Sequence, residues 1–385
     1  MQCLDEVRVA GLLGLSMDGP AAYLQALYHT VKLFAIVSRS FGIFGALLPV
    51  VVLACDPSAE EIQLSAPQGL AAELASHVPT FTDPAQLTFV SDALLRGDTL
   101  AVLDWNDCVV FFDAQLRYKS SAGRSGSGPG ELLRPTSLAI WNGTWAIADN
   151  GNARLTWLTQ DSAWHGHRLP AMRGRGLVVT SEGAAILPKR GDTHYAVRVA
   201  PDGTETAWAV RPWPPGQDAT MHPTFTGFEK DHIAMLPGDT LIVVDGDSLV
   251  IRKYAPDGTY LEQRSLPRSL RVPLLRSSGS SADEFAGRRT VRYAPAVGTV
   301  SSTSDGLVVI GLPFREELNG AVAMVLDPAS WNGFVLRGEP GEWAYSATKE
   351  FYVITADRDR VAIVAHDGRI GMYGLPRVRH DGANH

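Results

Sequence analysis

Cysteine is scarce in this 385-residue chain, with only Cys3, Cys55 and Cys108. So few thiols exclude a disulfide framework. With residues 1–54 set aside, they cannot build a Cys-based zinc site within one chain either. Cys108 lies in an apolar run and reads as a buried, inert thiol. Basic excess is also lacking. The net charge is -7; residues 1–54 hold three acids and three bases, so the remainder carries it all, with 38 acids against 31 bases. Without a basic face for phosphates, nucleic acid is not an expected partner. The signatures G-x-S-x-G, H-E-x-x-H, G-x-x-x-x-G-K-[ST] and a G-x-G-x-x-G at a strand–helix junction are missing. Their absence weakens those enzyme classes. It does not touch sites assembled from single residues on separate elements.

What is present is an ordinary globular composition, 45% hydrophobic and 19% charged. Gly (37) and Pro (24) are generous, which suits many turns and few long helices. The length fits two average domains or one large all-β domain.

Residues 41–54 read FGIFGALLPVVVLA, an uncharged run preceded by Lys32 and Arg39. At about 14 residues it falls short of the roughly 20 that span a bilayer. A basic region, a short apolar core and a small residue before a cut make a secretory signal. Val52-Leu53-Ala54-Cys55 resembles the lipobox of bacterial lipoproteins. That resemblance implies cleavage before Cys55, a diacylglycerol on its thiol and acylation of the new amine. Val52 and Leu53 depart from the usual occupants. Several acyl chains give stable attachment, so the lipid bilayer is an expected partner. An ordinary cleaved signal, or a membrane anchor with a chance Cys, is the alternative. The acidic, mixed residues 1–36 are read as an extension ahead of a true start near Met17 or Val37.

Behind the signal the chain repeats. Segments starting at Leu95 and Leu236 share a Gly-Asp-Thr turn, an apolar strand ending in Asp (Asp104, Asp245), a polar turn and two further strands. Weaker copies start at Ala139, with Asp149 as the strand-end acid, and at Ala347, with Asp357. Copies from Gly176 and Asp305 lack the acid. The mean spacing is about 51 residues, close to the roughly 40–50 of known propeller blades. One four-stranded meander cannot bury both faces, whereas radial stacking does. Residues Ile62–Ser65 are expected to close the ring by pairing near Arg369–Tyr373.

The run Ile147-Ala148-Asp149-Asn150-Gly151-Asn152-Ala153-Arg154-Leu155 resembles the core of an NHL repeat, with Asp357-Arg358-Asp359-Arg360-Val361 a looser copy. Gly126-Ser127-Gly128-Pro129-Gly130-Glu131-Leu132 resembles the GxGPGE loop of bacterial six-bladed propeller lipoproteins, echoed at Gly338–Trp343. The resemblance implies an all-β fold, a six-bladed β-propeller of four-stranded antiparallel blades. It specifies no activity, although NHL-like propellers include hydrolases and lyases with a channel metal.

Candidate residues divide by role. Asp104, Asp149, Asn152, Arg154, Asp245 and Asp357 are read as structural turn residues, because Asp accepts hydrogen bonds from the turn that follows. His165 and His167 could begin a metal site, but no third ligand is evident, and an exposed pair is the plainer reading. Arginines gather from Arg264 to Arg292. Of these, Arg271, Arg276, Arg288, Arg289 and Arg292 are the candidates for an anionic ligand or partner. The alternative is a solvated loop, Ser/Gly-rich from Ser277 to Ala282, paired with Asp283, Glu284 and Glu262. Trp213, in Arg211-Pro212-Trp213-Pro214-Pro215, could present an aromatic contact or pack its own loop. No catalytic residue, metal or cofactor is assigned.

The sequence thus predicts a signal over 1–54, a lipidated linker over 55–61, a propeller over 62–376 and a disordered tail over 377–385. The expected protein is monomeric and anchored on the periplasmic or extracellular side of a bacterial envelope. It is read as binding a protein or small molecule, with a channel enzyme or a structural envelope component as alternatives.

Overall fold

A computed structural model describes residues 60–69, 73–77 and most of 87–376. Within that last span 142, 159–163, 169–175, 189–193, 211–230, 247–248, 278–279, 286–287, 294–296, 314–317, 339–351 and 366–367 fall outside the description. The chain divides into Met1–Ala54, which lies outside the described residues, and Cys55–His385.

Six antiparallel meanders follow one another. Blade 1 is Val90–Arg96, Thr99–Asp104, Cys108–Phe112 and Tyr118–Ala122. Blade 2 is Pro135–Trp141, Thr144–Asp149, Arg154–Leu158 and Trp164–Arg168. Blade 3 is Val178–Val179, Ala185–Pro188, His194–Val199 and Glu205–Val210, and blade 4 is Asp231–Met235, Leu241–Asp245, Val250–Tyr254 and Tyr260–Ser265. Blade 5 is Thr299–Ser302, Val308–Gly311, Ala321–Asp327 and Asn332–Arg337, and blade 6 begins with Tyr352–Asp357, Arg360–Ala365 and Ile370–Gly374. The first strand of each blade touches the first strand of the next, and blade 6 returns to blade 1, so the ring is closed. This is a six-bladed β-propeller.

Strand periodicity explains the stacking. Successive side chains point to opposite faces. In blade 1, Leu100 and Val102 join a core with Val364 and Met372 of blade 6, whereas Ala101 and Leu103 join one with Leu138 and Ile147 of blade 2. In blade 4, Leu241 and Val243 pack toward Ile186 of blade 3, while Ile242 and Val244 pack toward Val308 and Met324 of blade 5. Two further clusters join blades 2 to 3 and 5 to 6. Each blade interface therefore has its own apolar core. Middle strands are covered on both faces, which is why Ala321–Asp327 is buried throughout. Outer strands escape this, and most of Tyr118–Ala122 is exposed.

Closure differs from the expectation. The strand that completes blade 6 is Glu73–His77, antiparallel to Ile370–Gly374, with Gly371 opposite Ser76. Ile62–Ser65 goes elsewhere. Gln63–Leu64 and Gln68–Gly69 add to the outer edge of blade 5 in parallel, with Leu64 opposite Gly333. Ile62, 2% exposed, is drawn into the blade 4–5 core, which fixes the strap one blade early.

The sixth repeat also differs in phase from the expectation. Asp104, Asp149 and Asp245 end second strands, but Asp357 ends the first strand of its blade. Consecutive strands of a meander run in opposite directions, so the ends of first and second strands lie at opposite openings of the ring and Asp357 is not the equivalent of the other three. Between blades 4 and 5 the expected loop is partly regular: a helix spans Arg268–Ser277, and Ser280–Phe285 pairs with Arg288–Tyr293.

A stitched central channel

The first strands line the axis but make no ladder with one another, so their edge N–H and C=O groups need other partners. Side chains supply them at every junction. Asp92 Oδ2 accepts from Leu138 N at 2.7 Å, and Ser137 Oγ accepts from Gly176 N at 2.7 Å. Between blades 3 and 4 the stitch lies in the turns that follow the first strands, where Asp239 Oδ1 accepts from Ser181 N at 2.7 Å. Ser302 Oγ donates to Met235 O at 2.5 Å. Thr299 Oγ1 accepts from Ile354 N at 3.0 Å, and Thr355 Oγ1 accepts from Leu95 N at 3.0 Å. These six contacts run blade 1 to 2, 2 to 3, 3 to 4, 4 to 5, 5 to 6 and 6 to 1.

Inside this ring lies a cavity of 490 Å³. Its walls alternate apolar residues such as Leu94, Ile140 and Val179 with hydroxyls from several blades, and His232, 7% exposed, sits on the blade 4 wall. The carboxylates of Asp92 and Asp239 are occupied by the stitches. Thr136 Oγ1 and Ser301 Oγ are different: both are buried and neither has a hydrogen-bond partner. They stand on blades 2 and 5, three steps apart in a ring of six, and hence on opposite walls. A buried hydroxyl left unpaired costs about 1–3 kcal/mol. Among the described residues no three His, Cys, Asp or Glu side chains gather as metal ligands would.

None of the predicted turn residues lines this cavity. Asp104, fully buried, accepts from Asn106 N in the following turn at 2.6 Å, and also from Thr88 N (2.5 Å) and Phe89 N (3.2 Å) at the entry to its own blade. Asp245 takes Arg252 Nη1 at 2.9 Å, with the guanidinium 5.2 Å from the Tyr195 ring. Asp357 accepts from Gly97 N (2.9 Å) and Ser304 N (3.1 Å), joining blades 1 and 5 to blade 6.

The NHL-like run and the GxGPGE-like loop turn out to be two halves of one clamp. Fully buried Asp149 accepts from Leu133 N, Asn152 Nδ2 and Arg154 Nε, each at 2.8 Å. Asn152 also donates to Gly126 O at 2.9 Å. Arg154 donates to Ser127 O at 3.2 Å, Gly128 O at 3.1 Å and Glu131 O at 2.5 Å. Glu131 folds back to Gly128 N at 2.7 Å. A Cβ at Gly151 would meet Leu133 O at 2.3 Å, so only glycine lets the turn close on the loop.

The arginine segment is divided. Arg271 pairs with Glu61 at 3.5 Å, and Arg264 with Glu60 at 3.0 Å and Glu262 at 3.6 Å. The backbone of Arg276 lies in the helix, and those of Arg288, Arg289 and Arg292 lie in the two-stranded sheet. The segment carrying His165 and His167 is the outer strand of blade 2. Cys55, Trp213 and the echo at 339–343 lie outside the described residues. The channel residues are hidden in the sequence because the clearest repeat signal, the Gly-Asp-Thr turn, follows the first strand. Hydroxyls clustered ahead of that turn (Thr136-Ser137, Thr299 to Thr303) were the available signal.

The fold thus defines a β-propeller with a hydroxyl-lined channel. No family model and no curated protein matches the chain. Among solved structures, a candidate exported protein of Bacteroides fragilis is similar at 12% identity and a TM-score of 0.50, covering 81% of this chain and 99% of that one. A gluconolactonase of Xanthomonas campestris gives 15%, 0.47, 80% and 97%. A virginiamycin B lyase of Staphylococcus aureus gives 9%, 0.45, 77% and 98%. The first likeness is one of fold alone.

Proposed function

We propose that this protein is a lipid-anchored propeller of the bacterial envelope. It is held on the periplasmic or extracellular side by Cys55 and binds a small, uncharged polar molecule in its channel. The observation that carries the binding role is the 490 Å³ cavity itself, whose walls mix apolar residues with serines and threonines from several blades. That volume falls within the roughly 300–1,000 Å³ of ligand pockets. Serine and threonine side chains share the lining with Arg96 and with Asp92 and Asp239, whose carboxylates already hold backbone N–H groups. A ligand bearing hydroxyl, carbonyl or amide groups matches that lining. The anchor is supported by Val52-Leu53-Ala54-Cys55 and the apolar run before it.

Thermal-shift screening of neutral sugars, polyols and short amides tests the channel. A compound that stabilises the protein saturably, and loses that effect in Ser301→Leu, is the expected result. Binding that survives Ser301→Leu would place the ligand elsewhere. A compound recovered chemically changed would make the channel an active site. The mass of the mature protein tests the anchor: an acylated Cys55 supports it, and an unmodified thiol overturns it.

A further inference from the structure

The first described residues fix where a tether would leave the ring. Ser265 N donates to Glu60 O at 3.0 Å, and Ile62 N to Ser265 O at 3.1 Å. The ion pairs from Arg264 and Arg271 hold Glu60 and Glu61 to the same place. Residue 60 is therefore fastened at one end of the outer strand of blade 4. Cys55 lies five residues earlier, a reach of at most about 17 Å when fully extended.

Exposed large hydrophobic residues are few among the described ones: Trp105, Tyr118, Val210, Tyr260 and Leu261. Three of the five lie on adjoining outer rims. Tyr260 and Leu261 begin the strand to whose far end the tether is fastened. Leu261 is four residues from Ser265, about 13 Å along a strand. Val210 ends the outer strand of blade 3, and its carbonyl accepts from Tyr254 Oη at 3.0 Å. The Tyr254 ring meets Tyr260 edge-on at 5.8 Å, making the rim continuous. Arg268, exposed, follows Ser265 within three residues.

We infer that the outer rim of blade 4, led by Tyr260 and Leu261 with Val210 beside them, is a bilayer-contact surface. This rests on the Cys55 anchor, whose short reach keeps this rim near the headgroups. Tyrosine suits the membrane interface, leucine the acyl boundary and arginine an anionic headgroup. The propeller then stands on its edge, and both channel openings face solvent.

The test separates the rim from the natural anchor. The mature chain, with hexahistidine in place of Cys55 and with Cys108→Ser, is bound to vesicles of phosphatidylcholine, phosphatidylglycerol and a nickel-chelating lipid. A polarity-sensitive dye is placed at Thr259→Cys or, as a control on opposite blade 1, at Lys119→Cys. The expected result is a blue shift with severalfold brighter emission at 259 and none at 119. Tyr260→Asp with Leu261→Asp should abolish the shift while the protein stays bound. Equal signals at both sites, or a shift untouched by the double substitution, would overturn the rim. An unmodified Cys55 in the natural protein would overturn the anchor reading and leave the rim result standing.

Discussion

At the scale of single residues, most polar groups of this protein serve its backbone. Asp149 and Arg154 do so by gripping a loop of the preceding connection, and Asp92 and Thr355 by stitching first strands. Cys108, expected to be buried, is only half-buried, yet it shows the other side of burial. Its pKa is pushed up to about 11, first by burial and then by the negative charges of Asp104 and Asp107. The thiol is therefore protonated throughout the physiological range, and the thiolate is the reactive form. Iodoacetamide at pH 7.5 should leave Cys108 unmodified in the folded protein and label it on unfolding, as read by intact mass. The apolar setting of Cys108 was legible in the sequence. Its two carboxylate neighbours were only partly so, because Asp104 comes opposite it through strand pairing.

At the scale of elements, the second and third strands were the easiest to read. Covered on both faces, they are continuous apolar runs such as Leu241-Ile242-Val243-Val244, and tight turns bound them. First strands were harder, because their hydroxyls break the apolar pattern and their partners lie a whole blade away. Tyr352–Asp357 ends in Asp as second strands do, which hides its place as the first strand of blade 6. The closing strand is hidden for a related reason. Ile62 to Ser65 and Glu73–His77 are both short, and nothing local tells an edge addition from a ring closure. The two can be separated experimentally. A chain starting at residue 71 keeps the closing strand and loses only the strap. A chain starting at residue 79 leaves the blade 6 edge unpaired and opens the ring. The second truncation should lower the melting temperature far more than the first and broaden the transition; equal losses would mean that the strap is the lock.

At the scale of the whole molecule, stability depends on six interfaces acting in a circle, and Asp357 joins three blades at the seam. Burial pushes its carboxyl up, but hydrogen bonds from Gly97 N and Ser304, with the charge of Arg96, outweigh this and hold it below the usual range. A depressed carboxylate pKa contributes stability that is complete above the unfolded value, about 4, and is lost as pH falls through the folded value. The melting temperature of the wild type should therefore drop as the pH is lowered below about 4. Asp357→Asn should lie lower at pH 7 and show a shallower acid limb. Parallel curves for the two proteins would remove Asp357 from the acid response. The channel is a property of this same scale. It is assembled from strands roughly 50 residues apart, and so the sequence could announce a ring without showing what its centre holds.

The strap over blades 4 and 5 has a mechanical side. A pull applied upstream of residue 60 would first meet the ion pairs at Arg264 and Arg271, then the short parallel contacts along Asn332–Arg337, and only then Glu73–His77. Force entering through the N-terminal side would be spent peeling an accessory edge before it loaded the strand that keeps the circle shut. The strap would act as a sacrificial link, and the ring behind it could stay intact.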